Sequence, residues 1–141
     1  EIEVVPGVTA ALSGGAVLGA PLMHDFAVIS LSDLLTPWEK IEKRLLMASK
    51  ADLVICLYNA SSRKRADYLQ KACDLMMQYK APETVCGIVR NIGRDGEFAE
   101  IMSLAELRNK KVDMFTTVYI GNQETIELNG KMVTPRGYKN V

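Results

Sequence analysis

The sequence predicts an α/β domain with a mixed, mainly parallel sheet, flanked by helices and edged by an antiparallel hairpin. Three observations carry that reading. Continuous apolar runs, such as residues 52–58 and 85–89, read as strands covered on both faces. The stretches between such runs place apolar residues at helical spacing. Near the end, Asn129-Gly130 joins two short β-prone segments, and that dipeptide favours the type I′ turn of a tight hairpin. The 141 residues can bury a real core without staples, so residues 1–141 are read as one domain.

In chain order, residues 2–5 read as a first strand. A strand that starts at the first residue, on a chain opening with Glu1, predicts a piece of a longer protein. Pro6-Gly7 then opens a small-residue helix, proline suiting a first turn whose N–H groups are unpaired anyway. Gly14-Gly15 cost roughly 1 kcal/mol each against alanine in a helix, which predicts that something packs very close to this backbone. Residues 26–31 form a buried strand. Thr36-Pro37-Trp38-Glu39 reads as a helix start with Thr36 and Glu39 as a capping box and Pro37 first in the helix. Trp38, Ile41, Leu45 and Ala48 then make the buried stripe.

After the strand at 52–58, Asn59-Ala60-Ser61-Ser62 offers a loop and an N-cap. The helix that follows carries Ala66, Leu69, Cys73, Met76 and Met77 inside, with Arg63, Lys64 and Arg65 on a solvated face. A buried strand at 85–89 leads into the polar turn at 91–96, read as a hairpin or exposed loop, and residues 98–102 form another strand. Ser103 and Glu106 make a second capping box, for a short helix ending near Asn109. Residues 114–120 are a further buried strand, closed by Gly121-Asn122.

Composition narrows the function classes. Lysine plus arginine, 17, balance aspartate plus glutamate, 17, so no basic face announces nucleic acid. No run of about 18 apolar residues is present to cross a membrane, and no segment reads as a secretory leader. Cys56, Cys73 and Cys86 sit in apolar stretches without metal-ligand spacing, which predicts buried reduced thiols, no metal, and the cytoplasm.

Ligands of α/β sheets gather at the carboxyl ends of strands. Here those ends carry Tyr58-Asn59, Arg90-Asn91-Ile92 and Gly121-Asn122. Asparagine is also simply common where strands turn, so the residues alone leave both readings open. The single His24 has no second histidine with which to build a triad, and a structural role is the plainer one. His24 and Asp33 are the candidate acids or bases; no catalytic residue is assigned.

The string Val4-Val5-Pro6-Gly7-Val8-Thr9-Ala10-Ala11, followed by Leu18-Gly19-Ala20-Pro21-Leu22-Met23-His24-Asp25, resembles the tetrapyrrole methylase family. The run from Phe26-Ala27-Val28-Ile29-Ser30-Leu31-Ser32-Asp33 to Thr36-Pro37-Trp38-Glu39 is similar to its precorrin-3B (or cobalt-factor III) C17-methyltransferase branch. So are Leu57-Tyr58-Asn59, Gly87-Ile88-Val89-Arg90-Asn91 and Met132-Val133-Thr134-Pro135-Arg136-Gly137-Tyr138. The resemblance implies the C-terminal domain of a two-domain enzyme with S-adenosylmethionine in the cleft between the domains. It implies contacts to that cofactor from Thr9, Ala10, Asn59 and Ile92, and from the neighbouring Asn91 and Gly121. Relatives often carry methionine where this chain has Asn59, and some carry glycine at Ile92. The activity implied is methyl transfer to C17 of a corrin precursor, with ring contraction, in cobalamin biosynthesis. A tetrapyrrole substrate and a homodimer are implied as partners. The family's glycine-rich cofactor loop is not in this chain, so the fragment is expected to be one wall of a site. Two rivals are a methylase of another tetrapyrrole position and a non-catalytic ligand-binding or dimerisation module.

Overall fold

A computed structural model describes residues 1–139 of the chain. Its elements run α1 (Ala10–Leu18), β1 (Gly19–Ala20), β2 (Phe26–Ser30), α2 (Trp38–Lys50), β3 (Val54–Tyr58), α3 (Tyr68–Met76) and β4 (Val85–Arg90). They continue β5 (Phe98–Ser103), α4 (Leu104–Arg108), β6 (Thr116–Ile120), β7 (Ile126–Leu128) and β8 (Lys131–Val133). The mixed α/β class and the flanking helices are as expected. A five-stranded sheet in the order β2-β3-β6-β4-β5 forms the centre, and a small sheet in the order β1-β8-β7 lies beside it.

The sheet is not mainly parallel. Only β2 and β3 pair in parallel within the large sheet, because β6 enters antiparallel between β3 and β4. The hairpin after β4 reverses the chain into β5, and α4 carries it across so that β6 runs with β5. A continuous apolar run reports burial on both faces and is silent on direction. All five residues of β6 are buried, because helices cover one face of the sheet and α1 with the small sheet covers the other.

Two apolar layers follow. On one face, Ile41 and Leu45 of α2, Leu69, Cys73 and Met76 of α3, and Leu104 and Leu107 near α4 pack on Ile55, Leu57, Val118 and Ile120. On the other, Ala11 and Leu18 of α1 and Met132 of β8 pack on Cys56, Val89 and Tyr119. Each large side chain buried here contributes about 1.5–3 kcal/mol.

Several local expectations are corrected. Residues 2–5 form no strand: they lie unpaired, with Ile2 94% and Val4 89% exposed. The first helix starts at Ala10 and not at Pro6, because the Thr9 hydroxyl accepts from the Ala11 N–H and sets the N-cap. Pro37 is the cap of α2 rather than its first helical residue, with ψ 143°, which leaves Thr36 outside and the Thr36–Glu39 capping box unformed. Helix α3 begins only at Tyr68, so Arg63, Lys64 and Arg65 lie in the preceding loop and Ala66 is exposed. Asn59 ends β3 in the left-handed region, φ 54°, and caps no helix.

Other local readings hold. Ser103 and Glu106 form their capping box, residues 91–97 link the antiparallel pair β4 and β5, and Asn129 and Gly130 turn with φ 50° and 72°. The close neighbour predicted for Gly14-Gly15 is Tyr119: a Cβ on Gly14 would collide with its hydroxyl and would lie 2.8 Å from the Ile92 Cδ1. A Cβ on Gly15 would meet only ordinary contacts, the nearest at 3.6 Å on Leu22. Chemical denaturation should therefore separate the two glycines. Gly14→Ala is expected to lose about 1–3 kcal/mol from overpacking, whereas Gly15→Ala should be neutral or gain up to about 1 kcal/mol of helix propensity. Equal effects would break the assignment of Tyr119 as the constraint.

Candidate functional site

Strands β2, β3 and β4 all point the same way, since β2 is parallel to β3 while β3 and β4 are both antiparallel to β6. Their carboxyl ends share one edge with the start of α1. There the Tyr58 hydroxyl lies 2.7 Å from the Thr9 Oγ1 and accepts from the Ala11 N–H at 2.7 Å. From beneath, the Tyr119 hydroxyl donates to the carbonyls of Ala10 and Ala11 at 3.1 and 2.7 Å. Two phenols from different strands thus hold the first turn of α1 against the sheet. Thr9 and Ala10 themselves stay exposed, and the Ala10 N–H has no hydrogen-bond partner among the described residues.

The two strand-end asparagines complete the edge. Both adopt the left-handed conformation, Asn59 at φ 54° and Asn91 at φ 51°, a geometry asparagine tolerates better than most residues. Asn59 Nδ2 donates to the Ser30 Oγ at 2.9 Å, tying β3 to the end of β2. The Asn91 N–H donates to the Phe115 carbonyl at 3.2 Å. Ile92 turns inward and packs in the cluster under α1.

Thr9, Ala10, Asn59, Asn91 and Ile92 are therefore gathered at one end of the molecule, and Gly121 is not. Because β6 runs antiparallel, its carboxyl end lies beside the amino ends of β3 and β4, where the Gly121 N–H donates to the Val85 carbonyl at 2.9 Å. There Lys80, with its side chain only 2% exposed, donates to the carbonyls of Gly121 and Leu53 at 2.9 Å each and lies 3.6 Å from Asp52. At that end a buried lysine ties the end of β6 to the residue before β3.

Two groups beneath the turn of α1 stay neutral. Burial pushes the Cys56 thiol up to about 12 and raises the Tyr119 phenol, so both stay protonated. His24 is a structural partner, its Nε2 3.0 Å from the Arg136 carbonyl. Asp33 is engaged as well: Tyr68 donates to it at 2.6 Å and Arg65 pairs with it at 2.5 Å, and together they hold its carboxyl below the usual range. Among the described residues no three His, Cys, Asp or Glu side chains cluster as metal ligands. Sequence reasoning named Tyr58 only as a strand end, without its hydroxyl contact, and missed Tyr119 and Ser30 as site residues. The signal for the first two was a phenol inside an apolar strand, which needs a hydroxyl partner once buried.

The family model described as Tetrapyrrole (Corrin/Porphyrin) Methylases matches residues 1–108. The chain belongs to that family. This tetrapyrrole methylase chain is 47% identical over 138 residues to a probable cobalt-factor III C(17)-methyltransferase of Salmonella typhimurium, covering 98% of this chain and 57% of the relative. It is 42% identical over 143 residues to a precorrin-3B C(17)-methyltransferase of Sinorhizobium sp, covering 98% and 56% respectively. Among solved structures, the methyltransferase CobJ superposes with a TM-score of 0.86 at 33% identity, covering 96% of this chain and 56% of that one. A uroporphyrin-III C-methyl transferase from Thermus thermophilus complexed with S-adenyl homocysteine shares the fold, with a TM-score of 0.63 at 18% identity over 84% of this chain and 52% of that one. The methylase chain thus spans a little over half the length of the relatives it matches.

The Asp33 arrangement makes a pH prediction. A carboxyl depressed in the folded state contributes stability above its unfolded pKa of about 3.9 and loses it as pH falls through the lower folded value. Melting curves of the wild type and Asp33→Asn should differ at pH 6, and the gap should close toward pH 2. A gap independent of pH would show that the ion pair is idle.

Proposed function

We propose that this chain forms one wall of an S-adenosylmethionine-dependent C-methyltransferase site acting at C17 of a corrin precursor, of the cobalt-factor III or precorrin-3B type, with ring contraction in cobalamin biosynthesis. The observation that carries the reading is the exposed Thr9-Ala10 turn, fixed by two phenols beside the left-handed Asn59 and Asn91 loops. The names borne by relatives at 42–47% identity support the same reaction.

The residues fit an adenosyl ligand. Ala10 brings a small Cβ and a free N–H, Thr9 a hydroxyl, Asn59 and Asn91 strand-end amides, and Ile92 an apolar wall. When bound, the cofactor supplies an activated methyl group on a sulfonium. The chain's share is to hold donor and acceptor in line, with the buried Cys56 thiol and Tyr119 phenol neutral beneath the turn. Gly121, at the far end of the sheet, is left without a part in this wall. The reading extends to a cytoplasmic homodimer: Cys56, Cys73 and Cys86 are buried and unpaired, which suits a reducing compartment, and Phe26 and Val28 stand exposed on the edge strand β2.

Calorimetric titration of the intact protein with S-adenosylhomocysteine tests it. Thr9→Trp should abolish binding. Tyr58→Phe, which removes the hydroxyl that holds Thr9 and Ala11, should weaken it about 3- to 10-fold, roughly one hydrogen bond's worth. Unchanged affinity in Thr9→Trp would move the cofactor elsewhere, and no binding by the wild type would end the methyltransferase reading.

A further inference from the structure

Next to the proposed cofactor edge lies a cleft of about 600 Å³ that nothing above uses, lined by Ser30, Ser32, Leu34, Leu35, Thr36 and Arg44. It shares a wall with that edge, since the Ser30 Oγ accepts from Asn59 Nδ2. Its lining separates into two chemistries. Leu34 and Leu35 are 77% and 98% exposed, an unusual cost for adjacent leucines in one loop. Ser30, Ser32, Thr36 and the Arg44 guanidinium are polar, and no carboxylate lines the cleft. Arg44 is exposed and makes no ion pair among the described residues.

The loop that carries the leucines and hydroxyls is held in place. Its Leu31 N–H donates to the Tyr58 carbonyl at 2.9 Å. Its Asp33 is bound by Arg65 and Tyr68, and the Tyr68 ring lies 4.6 Å from the Trp38 ring at the start of α2. A guanidinium flanked by hydroxyls, in a cleft whose lining holds no lysine and no glycine-rich turn, matches the planar, bidentate geometry of a carboxylate. The size exceeds what a free anion needs and falls in the range that takes a drug-sized portion of a ligand.

We propose that this cleft is a substrate subsite in which Arg44 pairs with a side-chain carboxylate of the tetrapyrrole while Leu34 and Leu35 rest against the face of the macrocycle. The proposal rests on the methyl-transfer reading of the adjoining edge and supplies what that reading lacks, a device that orients the ring. A macrocycle pinned by one rim carboxylate cannot rotate in its own plane, so the anchor decides which ring carbon is presented to the methyl donor.

The test titrates the intact wild type, Arg44→Gln, Arg44→Lys and Lys43→Gln with cobyrinic acid, a stable corrin with free carboxylates, and with its heptamethyl ester. S-adenosylhomocysteine is titrated in parallel. Arg44→Gln should bind the acid about tenfold more weakly than the wild type, as expected for a lost charge-assisted pair. Arg44→Lys should fall between, because it keeps the charge and loses the fork. Lys43→Gln, which removes a neighbouring exposed charge on the same helix, should change nothing. The ester should not distinguish wild type from Arg44→Gln. Equal acid affinity in wild type and Arg44→Gln overturns the subsite, as does an equal loss in Lys43→Gln. In both cases preserved S-adenosylhomocysteine binding leaves the methyltransferase reading standing. Failure to bind either corrin or S-adenosylhomocysteine overturns both.

Discussion

The Tyr119 hydroxyl must reach the first-turn carbonyls of α1 through the place where residue 14 would carry a side chain, and much of the molecule follows from that contact. Tyr119 is fully buried, so its O–H needs an acceptor, and a buried donor left unpaired costs about 1–3 kcal/mol. Ala10 and Ala11 supply that acceptor only if α1 lies close on the sheet, which is why position 14 is a glycine. With α1 seated there, its N-terminus falls within reach of Tyr58, whose hydroxyl joins the Thr9 cap. One phenol sets the depth of the helix and the other its end. The exposed turn of Thr9 and Ala10 is a consequence of both.

Much of this was legible in the residues, and what was not has a common physical cause. The strands β3, β4 and β6, the stripe of α2, the Ser103 capping box and the Asn129-Gly130 hairpin depend on local spacing or local turn chemistry and were read correctly, whereas the strand expected to be buried at 26–31 forms at the sheet edge with Phe26 and Val28 exposed. The failures depend on partners distant in sequence. The direction of β6 is decided by a hairpin and a crossover, so Gly121 was grouped with Asn59 and Asn91 although it lies at the other end of the sheet. The start of α3 depends on Arg65 being drawn to Asp33, 32 residues away, and the start of α1 on the Thr9–Tyr58 pair, 49 residues apart. Residues 2–5 have strand composition and no strand to pair with. Of the site, the resemblance supplied Thr9 and Ala10, while the phenols that make the turn rigid escaped notice.

The two ends of the sheet are built to opposite purposes. At the end where β3 and β4 begin, Lys80 sits almost fully buried with both its carbonyl partners in place. Burial lowers its pKa, a sign that the folded state has to work to keep the charge there. Breaking such an arrangement strands carbonyls in the interior, so this end behaves as a structural latch. At the end where β2, β3 and β4 finish, the Ala10 N–H and the Arg44 guanidinium are exposed and without a protein partner among the described residues. Unpaired polar groups that face solvent cost little and remain available to a ligand.

The loop between β2 and α2 links the open edge to the cleft beside it. Ser30 contacts Asn59 on one side and lines the cleft on the other, so a shift of that serine alters both at once. Asp33 is bound by Tyr68 and Arg65, and His24 contacts the Arg136 carbonyl, so each ties down a loop. The Asp33–Arg65–Tyr68 cluster holds the loop that carries Ser30, Ser32 and the exposed leucines in place beside the turn of α1. The sheet sets the height of that turn and the anchored loop sets its lateral boundary, and the two networks meet at Tyr58, whose hydroxyl joins the Thr9 cap and whose carbonyl accepts from the Leu31 N–H.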